Sequence, residues 1–341
     1  MFVQKNKNKK GYTRYIVAGV IFVILLLAAA VLLRSFNRSL DKIQIVNEDD
    51  EKIEQNEGVV EVEGFRNIVI FGLDTRDNSL KRGNSDTIMI ASINKKTKDV
   101  KLVSIYRDTY VSIPELGYTK INAAYANGGY SLALTTINKN LDLDITEYVT
   151  VNFRVVIDLI DRLGGITLDI EKNELKTLNG YVRELNRING TDSRGLSSAG
   201  KQTVNGTQAT AYARIRYTEG GDFKRTERQR IVLGKVFEKV KSSKLTTILD
   251  LIDDIFPQVA TNLTKSELID LAKDVFSYDI VEQSGFPFEK VAKNYKKVSY
   301  VFPVHLEENV VRLHQLLFDD KEYTPSDMVQ EYSDYIEEIR Q

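Results

Sequence analysis

From Ile16 to Leu33 the chain is an unbroken run of apolar residues and glycine, about 18 residues long. At about 1.5 Å per helical residue such a run reaches roughly 27 Å, the thickness of a bilayer's hydrocarbon core. Lys5, Lys7, Lys9, Lys10 and Arg14 precede it with no acidic residue among them. The positive-inside rule therefore predicts a cytoplasmic tail over 1–15, a membrane anchor over 16–33 and everything later outside the membrane. A cleavable signal peptide is the competing reading, with Ala28-Ala29-Ala30 as its small-residue exit. The apolar residues continue past the alanines, which favours an uncleaved anchor.

Beyond the anchor, residues 34–63 are polar and acid-rich, with Asn47-Glu48-Asp49-Asp50-Glu51 at their centre, and read as a stalk. The whole chain is 42% hydrophobic, enough for a buried core, and a folded domain is expected over 64–318. Residues 319–341 are polar and read as a peripheral tail. Asn67–Leu73, Thr87–Ile93 and Val100–Tyr106 are short branched apolar runs bounded by turn residues, which predicts three buried strands. A helical stretch interrupted by Gly128-Gly129 follows over Ile121–Leu141. Next come a strand at Tyr148–Phe153, a helix at Val155–Leu163 and a strand at Ile166–Ile170. Two amphipathic helices, around Ile231–Val240 and Leu268–Phe276, precede a strand at Lys297–Pro303 and a helix at Asn309–Leu317. This alternation predicts an α/β fold with helices on the faces of a sheet.

Composition removes several chemistries. There is no cysteine, so no thiolate nucleophile, thiolate metal site or disulfide framework. His305 and His314 are the two histidines and lie far from the polar motifs below, which argues against a Ser-His-Asp triad or a His-ligated zinc. A formal net charge of −1 gives no overall attraction to an anionic partner. No nucleic-acid-binding pattern is present, so no nucleic-acid partner is expected.

Three segments can carry chemistry. Asp74 ends the first strand and Asp86 opens the second; if the two pair as a hairpin, the carboxylates meet at one sheet edge and suit a hard cation such as Mg²⁺ or Mn²⁺. Arg107 and Asp108 directly follow the third strand, where a guanidinium can meet phosphate oxygens. Arg214, Arg216, Arg225, Arg228 and Gln229 gather around the start of a helix. Cations in a first helical turn oppose the helix dipole unless an anion sits among them.

In order and spacing these segments resemble the LytR-CpsA-Psr family. The likeness runs through Asn67-Ile68-Val69-Ile70-Phe71-Gly72-Leu73-Asp74-Thr75-Arg76, Ser85-Asp86-Thr87 and Ser104-Ile105-Tyr106-Arg107-Asp108-Thr109. It continues through Lys120-Ile121-Asn122-Ala123-Ala124-Tyr125, Ala211-Tyr212-Ala213-Arg214-Ile215-Arg216 and Gly221-Asp222-Phe223-Lys224-Arg225. The resemblance implies an α/β/α sandwich with a central mixed sheet and an apolar groove for a polyprenyl chain, preceded by one transmembrane helix. It implies transfer of an anionic glycopolymer, such as teichoic acid or capsule polysaccharide, from a polyprenyl pyrophosphate carrier to peptidoglycan. In that setting Asp74 and Asp86 would hold Mg²⁺, and Arg107, Arg214, Arg216, Arg225, Arg228 and Gln229 would bind the pyrophosphate. Asp74, Asp86, Arg107 and Asp108 form the expected catalytic set, with Asp108 the candidate base. Two positions depart from the pattern. Asn84 stands where an arginine is frequent, a contact Arg82 could supply, and Tyr106 stands where proline is usual. A pyrophosphatase, or a lipid- or polymer-binding protein without activity, would use much of the same cluster.

Overall fold

The computed structural model describes residues 44–45, 53–75, 80–244, 247, 251, 255 and 258–341. The anchor run and most of the stalk lie outside them. Among the described residues no helix is long and apolar enough to cross a membrane.

The strands are β1 (Gln44–Ile45), β2 (Phe65–Leu73), β3 (Ser85–Asn94), β4 (Asp99–Ile105), β5 (Tyr110–Ile113), β6 (Gly117–Lys120) and β7 (Glu147–Asn152). They continue as β8 (Ile166–Ile170), β9 (Gly200–Val204), β10 (Ala260–Thr261), β11 (Asp279–Phe286), β12 (Lys290–Tyr295) and β13 (Val298–Pro303). The helices are α1 (Asn122–Leu141), α2 (Phe153–Arg162), α3 (Leu175–Asn189), α4 (Gly206–Ala213) and α5 (Gly221–Lys241). They are followed by α6 (Lys265–Lys273), α7 (Leu306–Phe318) and α8 (Asp327–Arg340).

Seven strands form one mixed sheet in the order β1-β10-β7-β2-β3-β4-β11. β2, β3 and β4 run antiparallel in succession, while β7 and β11 pair parallel to β2 and β4. The period-two alternation of these strands decides which residues face which layer. Val69, Phe71, Ile88, Ile90, Val103 and Ile105 point into the larger core, where they meet Leu134 of α1, Leu313 of α7 and Ile336 of α8. Their neighbours Ile68, Met89, Ala91 and Leu102 form a separate cluster on the opposite face, with Leu233 and Phe237 of α5 and Leu268 of α6 packed against it. A third cluster joins α2, α3, α4, the β8–β9 hairpin and the Val232–Val236 face of α5.

The predicted strands and helices stand, but two outlying segments are corrected. Residues 319–341 do not stay peripheral: Ser326 caps α8, and Val329 and Ile336 are 0% and 1% exposed in the main core. The last part of the expected stalk also joins the domain. Ile53 and Val62 pack on the main core, and buried Asn56 donates to Asp142 Oδ1 at 2.6 Å and to the Lys139 carbonyl at 2.7 Å. In both segments an apolar residue every few positions anchors an otherwise polar stretch, a signal diluted by composition. Patterning also left α3, β9 and α4 unassigned; α4 is made largely of small residues that show no 3.6-residue period.

The interruption of α1 has a local cause. Gly129 takes φ 65° and ψ −156°, and a Cβ there would meet the Lys81 carbonyl oxygen at 3.4 Å. The kink thus lets α1 pass beneath the loop that follows Leu80.

Candidate phosphate-binding site at the strand ends

β2 and β3 pair as the expected hairpin, with Leu73 opposite Ser85 and the Asp74 amide donating to the Asn84 carbonyl at 3.4 Å. The loop between them therefore returns Asp86 to the strand end that Asp74 leaves. Asp86 does not wait alone: Arg107, one residue beyond Tyr106 at the end of β4, donates from Nη1 to Asp86 Oδ1 at 2.6 Å. Side-chain exposure is 18% for Arg107 and 15% for Asp86, so this pair is largely shielded from water.

The start of α5 completes the arrangement. Gly220 and Gly221 both take left-handed backbone, φ 86° and 51°, a turn that glycine makes without strain and that sets Asp222 and Arg225 against the strand ends. Arg225 lies 3.0 Å from Asp222 Oδ1, and Arg107 Nη2 approaches the same oxygen at 3.9 Å. A chain of alternating charge, Asp86–Arg107–Asp222–Arg225, thus crosses from the sheet to the helix. Burial raises the Asp222 pKa, partly opposed by Arg225 and Arg107. Burial lowers that of Arg225, and the positive charge of Arg107 adds to the effect. For Arg107 burial also acts against the charge, but Asp86 and Asp222 outweigh it and its pKa is raised. The Nε groups of Arg107 and Arg225 are enclosed yet meet no acceptor among the described residues. Enclosed charged donors without partners are costly unless an anion reaches them.

Beside this chain lies a cavity of about 430 Å³, within the usual range of ligand sites. Asp74, Arg214, Arg216, Arg225 and Gln229 line it, with Phe153, Tyr181 and Tyr217 as aromatic walls. Arg214 is held by Glu184 at 3.1 Å and lies over the rings of Phe153 and Tyr181 at 5.5 and 5.2 Å. Ion pair and ring contacts together fix its guanidinium. Sequence patterning had not marked Asp222, Tyr181, Tyr217 or Glu184. Only the placement of Asp222 in a first helical turn among arginines hinted at any of them.

Three of the candidate residues are engaged by partners within the chain. Arg228 is 1% exposed and turns away from the cavity; it donates to Glu174 Oε1 at 2.7 Å, to the Ile215 carbonyl at 3.0 Å and to Thr218 Oγ1 at 2.9 Å. It builds the wall that carries Ile215 and Arg216. Asp108 is paired with Lys120 at 2.9 Å and is absent from the cavity lining. Arg82, which could supply the arginine missing at Asn84, donates to the Asn127 carbonyl. Tyr106, in contrast, has a clear use for not being proline: its amide donates to the Phe286 carbonyl at 3.0 Å, joining β4 to β11. Neither histidine serves the site. His314 is buried against Tyr323 and bonds the Leu141 carbonyl, and His305 opens α7.

Among the described residues no three acidic or histidine side chains gather as a metal cluster. Mg²⁺ requires less from protein, one or two carboxylates with phosphate and water oxygens filling the rest. Asp74 and Asp86 fit that demand as hard oxygen donors on paired strand ends. Asp86 Oδ2 accepts no hydrogen bond among the described residues.

Comparison with known proteins gives a consistent picture. The sequence profile of the LytR_cpsA_psr family matches residues 31–314. A protein of Enterococcus faecalis named polyisoprenyl-teichoic acid–peptidoglycan teichoic acid transferase TagU is 30% identical, over 92% of this chain and 97% of its own length. The crystal structure of Bacillus subtilis TagV superposes with a TM-score of 0.59 at 26% identity, covering 78% of this chain and all of that one. TagT of the same organism, solved with bound octaprenyl pyrophosphate lipid, gives 0.58 at 23% identity over 79% and 98% of the two chains.

Proposed function

Because this chain belongs to the LytR_cpsA_psr family, we propose that it is a transferase that moves an anionic glycopolymer from a polyprenyl pyrophosphate carrier onto peptidoglycan. The observation that carries this reading is the pair of enclosed Nε donors of Arg107 and Arg225, which meet no acceptor among the described residues, beside a cavity walled by Arg214, Arg216 and Gln229. A pyrophosphate is the ligand whose charge and paired oxygens suit such a site. The TagT structure with octaprenyl pyrophosphate supports the same ligand class for this fold. The prenyl chain would lie on the sheet face beneath α5, where Ile70, Val149, Leu233 and Phe237 are only partly buried.

In the proposed reaction a peptidoglycan sugar hydroxyl attacks the polymer-side phosphorus, and the bond to polyprenyl phosphate breaks. Such transfer needs positioning and charge neutralisation more than a covalent nucleophile, so the lack of cysteine and the distant histidines are no obstacle. Arg107 and Arg225 hold the phosphoryl oxygens, and Arg214 and Arg216 the leaving phosphate. Asp74 and Asp86 would hold Mg²⁺, which when bound supplies further neutralisation of phosphate charge. The acceptor's proton passes to a carboxylate. Asp222, which lies between Arg107 and Arg225, is the carboxylate placed nearest those two donors, whereas Asp108 is paired with Lys120. The apolar run Ile16–Leu33 supports a single-pass anchor with the domain outside the membrane.

The test is to incubate the detergent-solubilised chain with lipid-linked donor and a peptidoglycan oligomer and to weigh the products. A joined product is expected. Free polymer phosphate in its place would mean a hydrolase, and donor binding without turnover a carrier protein.

A further inference from the structure

A second basic cluster sits on the other flank of α5. Arg225 and Gln229 face the cavity, with Asp222 on the same flank of the helix, whereas Phe223, Glu227 and Arg230 lie about 130° further round a helix of 3.6 residues per turn. That second flank meets Tyr106, whose ring packs edge-on against Phe223 at 4.7 Å between centroids. Lys290, the first residue of β12, sets its ammonium 5.0 Å from the Tyr106 ring centre and 5.2 Å from that of Phe223. Arg312 of α7 lies over Phe288 at 4.5 Å, and Lys290 Nζ donates to the Phe288 carbonyl at 3.2 Å.

Three cations from three elements thus gather around Lys290, which lies over Tyr106 and Phe223 while Arg230 and Arg312 act on its charge, with little to balance them. Glu227 is the one carboxylate among the described residues acting on Arg230, and its side chain is bonded to Lys224 at 3.0 Å. Arg230 Nη1 is enclosed and meets no acceptor among the described residues. Burial lowers the pKa of Lys290, and the charges of Arg230 and Arg312 lower it further. Nothing in the core requires this crowding of like charge.

We propose that Arg230, Lys290 and Arg312 form a second anion subsite that takes a phosphodiester of the glycopolymer strand, one helix-width from the pyrophosphate site. This rests on the transferase reading. Tyr106 and Arg107, adjacent at the end of β4, serve the two flanks, Arg107 holding the pyrophosphate and Tyr106 flooring the second subsite. A strand leaving the first site across the start of α5 would pass over the second about 10 Å away, the diameter of the intervening helix. The exposed Arg312 and the ring-bound Lys290 then select for polymers charged along their length.

The test measures binding without turnover, so it is decided even if the chain transfers nothing. The full chain in detergent is titrated at low salt with a soluble glycerol phosphate oligomer, and separately with a lipid pyrophosphate bearing one uncharged sugar. The Lys290→Gln/Arg312→Gln double variant should bind the oligomer at least about tenfold more weakly and the lipid pyrophosphate as the wild type does. Equal oligomer binding by both proteins, or none by either, would overturn the subsite. So would a parallel loss of both ligands, which would make the cluster part of the first site or of the fold. Binding of a carboxylate-bearing peptidoglycan peptide in place of the oligomer would reassign the patch to the acceptor and equally reject the proposal. An unchanged urea unfolding midpoint for the double variant separates lost binding from lost folding.

Discussion

Arg107 donates to Asp86 at 2.6 Å across the ends of β4 and β3, so the arginine proposed to hold phosphate is already aimed by the carboxylate proposed to hold metal. The pairing removes most of the rotational freedom of a long side chain before any ligand arrives. Removing one such prepositioned donor typically costs about a hundredfold to a thousandfold in rate. Lysine keeps the charge but loses the fork. Arg107→Lys should therefore bind lipid donor nearly normally and transfer about a hundredfold or more slowly in single turnover at saturating donor. An unchanged rate constant would strike Arg107 from the mechanism.

Asp86 is expected to matter twice, as metal ligand and as the partner of Arg107. Asp86→Asn can still accept from Arg107 but supplies no charge to a cation. Transfer by that variant should need far more Mg²⁺ for half-maximal rate than the wild type does, read from rate against free Mg²⁺ after chelation. Wild-type activity in the presence of chelator would refute the metal role of both Asp74 and Asp86.

Arg228 and Arg216 should separate stability from binding. Arg228 is enclosed with Glu174, and breaking a buried pair by removing one partner costs about 3–5 kcal/mol. Arg228→Met should lower the urea midpoint sharply, whereas Arg216→Ala, at the cavity wall, should leave it unchanged and weaken donor binding. Denaturation curves on both variants decide the matter.

Asp222 competes with phosphate for Arg107 and Arg225. Because burial raises its pKa, it takes up a proton at a higher pH than a fully solvated aspartate would. As pH falls through its raised pKa the competitor is neutralised, so donor affinity should rise. Asp222→Asn removes the titration and should flatten the profile at the high-affinity level. A wild-type affinity that fell over the same interval would contradict the arrangement.

The C-terminal helix should be needed for folding. Ile336 is 1% exposed against the main core, and Ile→Ala in such a place costs about 2–5 kcal/mol. A midpoint unchanged in Ile336→Ala would return residues 319–341 to the periphery.

Local chemistry made much of this protein readable. The apolar runs in Asn67–Leu73 and Thr87–Ile93 predict strands because a strand buried on both faces must be apolar nearly throughout, and Asp74 and Asp86 stand out as the charges that end such runs. Arginines crowded at the start of α5 pointed to an anion because a helix N-terminus disfavours them without one. Which arginines face that anion was not local. Arg225 and Arg228 are three residues apart in one helix, yet one borders the cavity and the other is buried with Glu174, fifty-four residues earlier in the chain. Asp222 likewise acquires its place only when β4 brings Arg107 against the first turn of α5. The sequence by itself determined the strand ends and the basic helix start. The packing of α5 between the sheet and the α2–α4 layer decided which charges share a dielectric interior, because burial and pairing depend on neighbours that come from elsewhere in the chain.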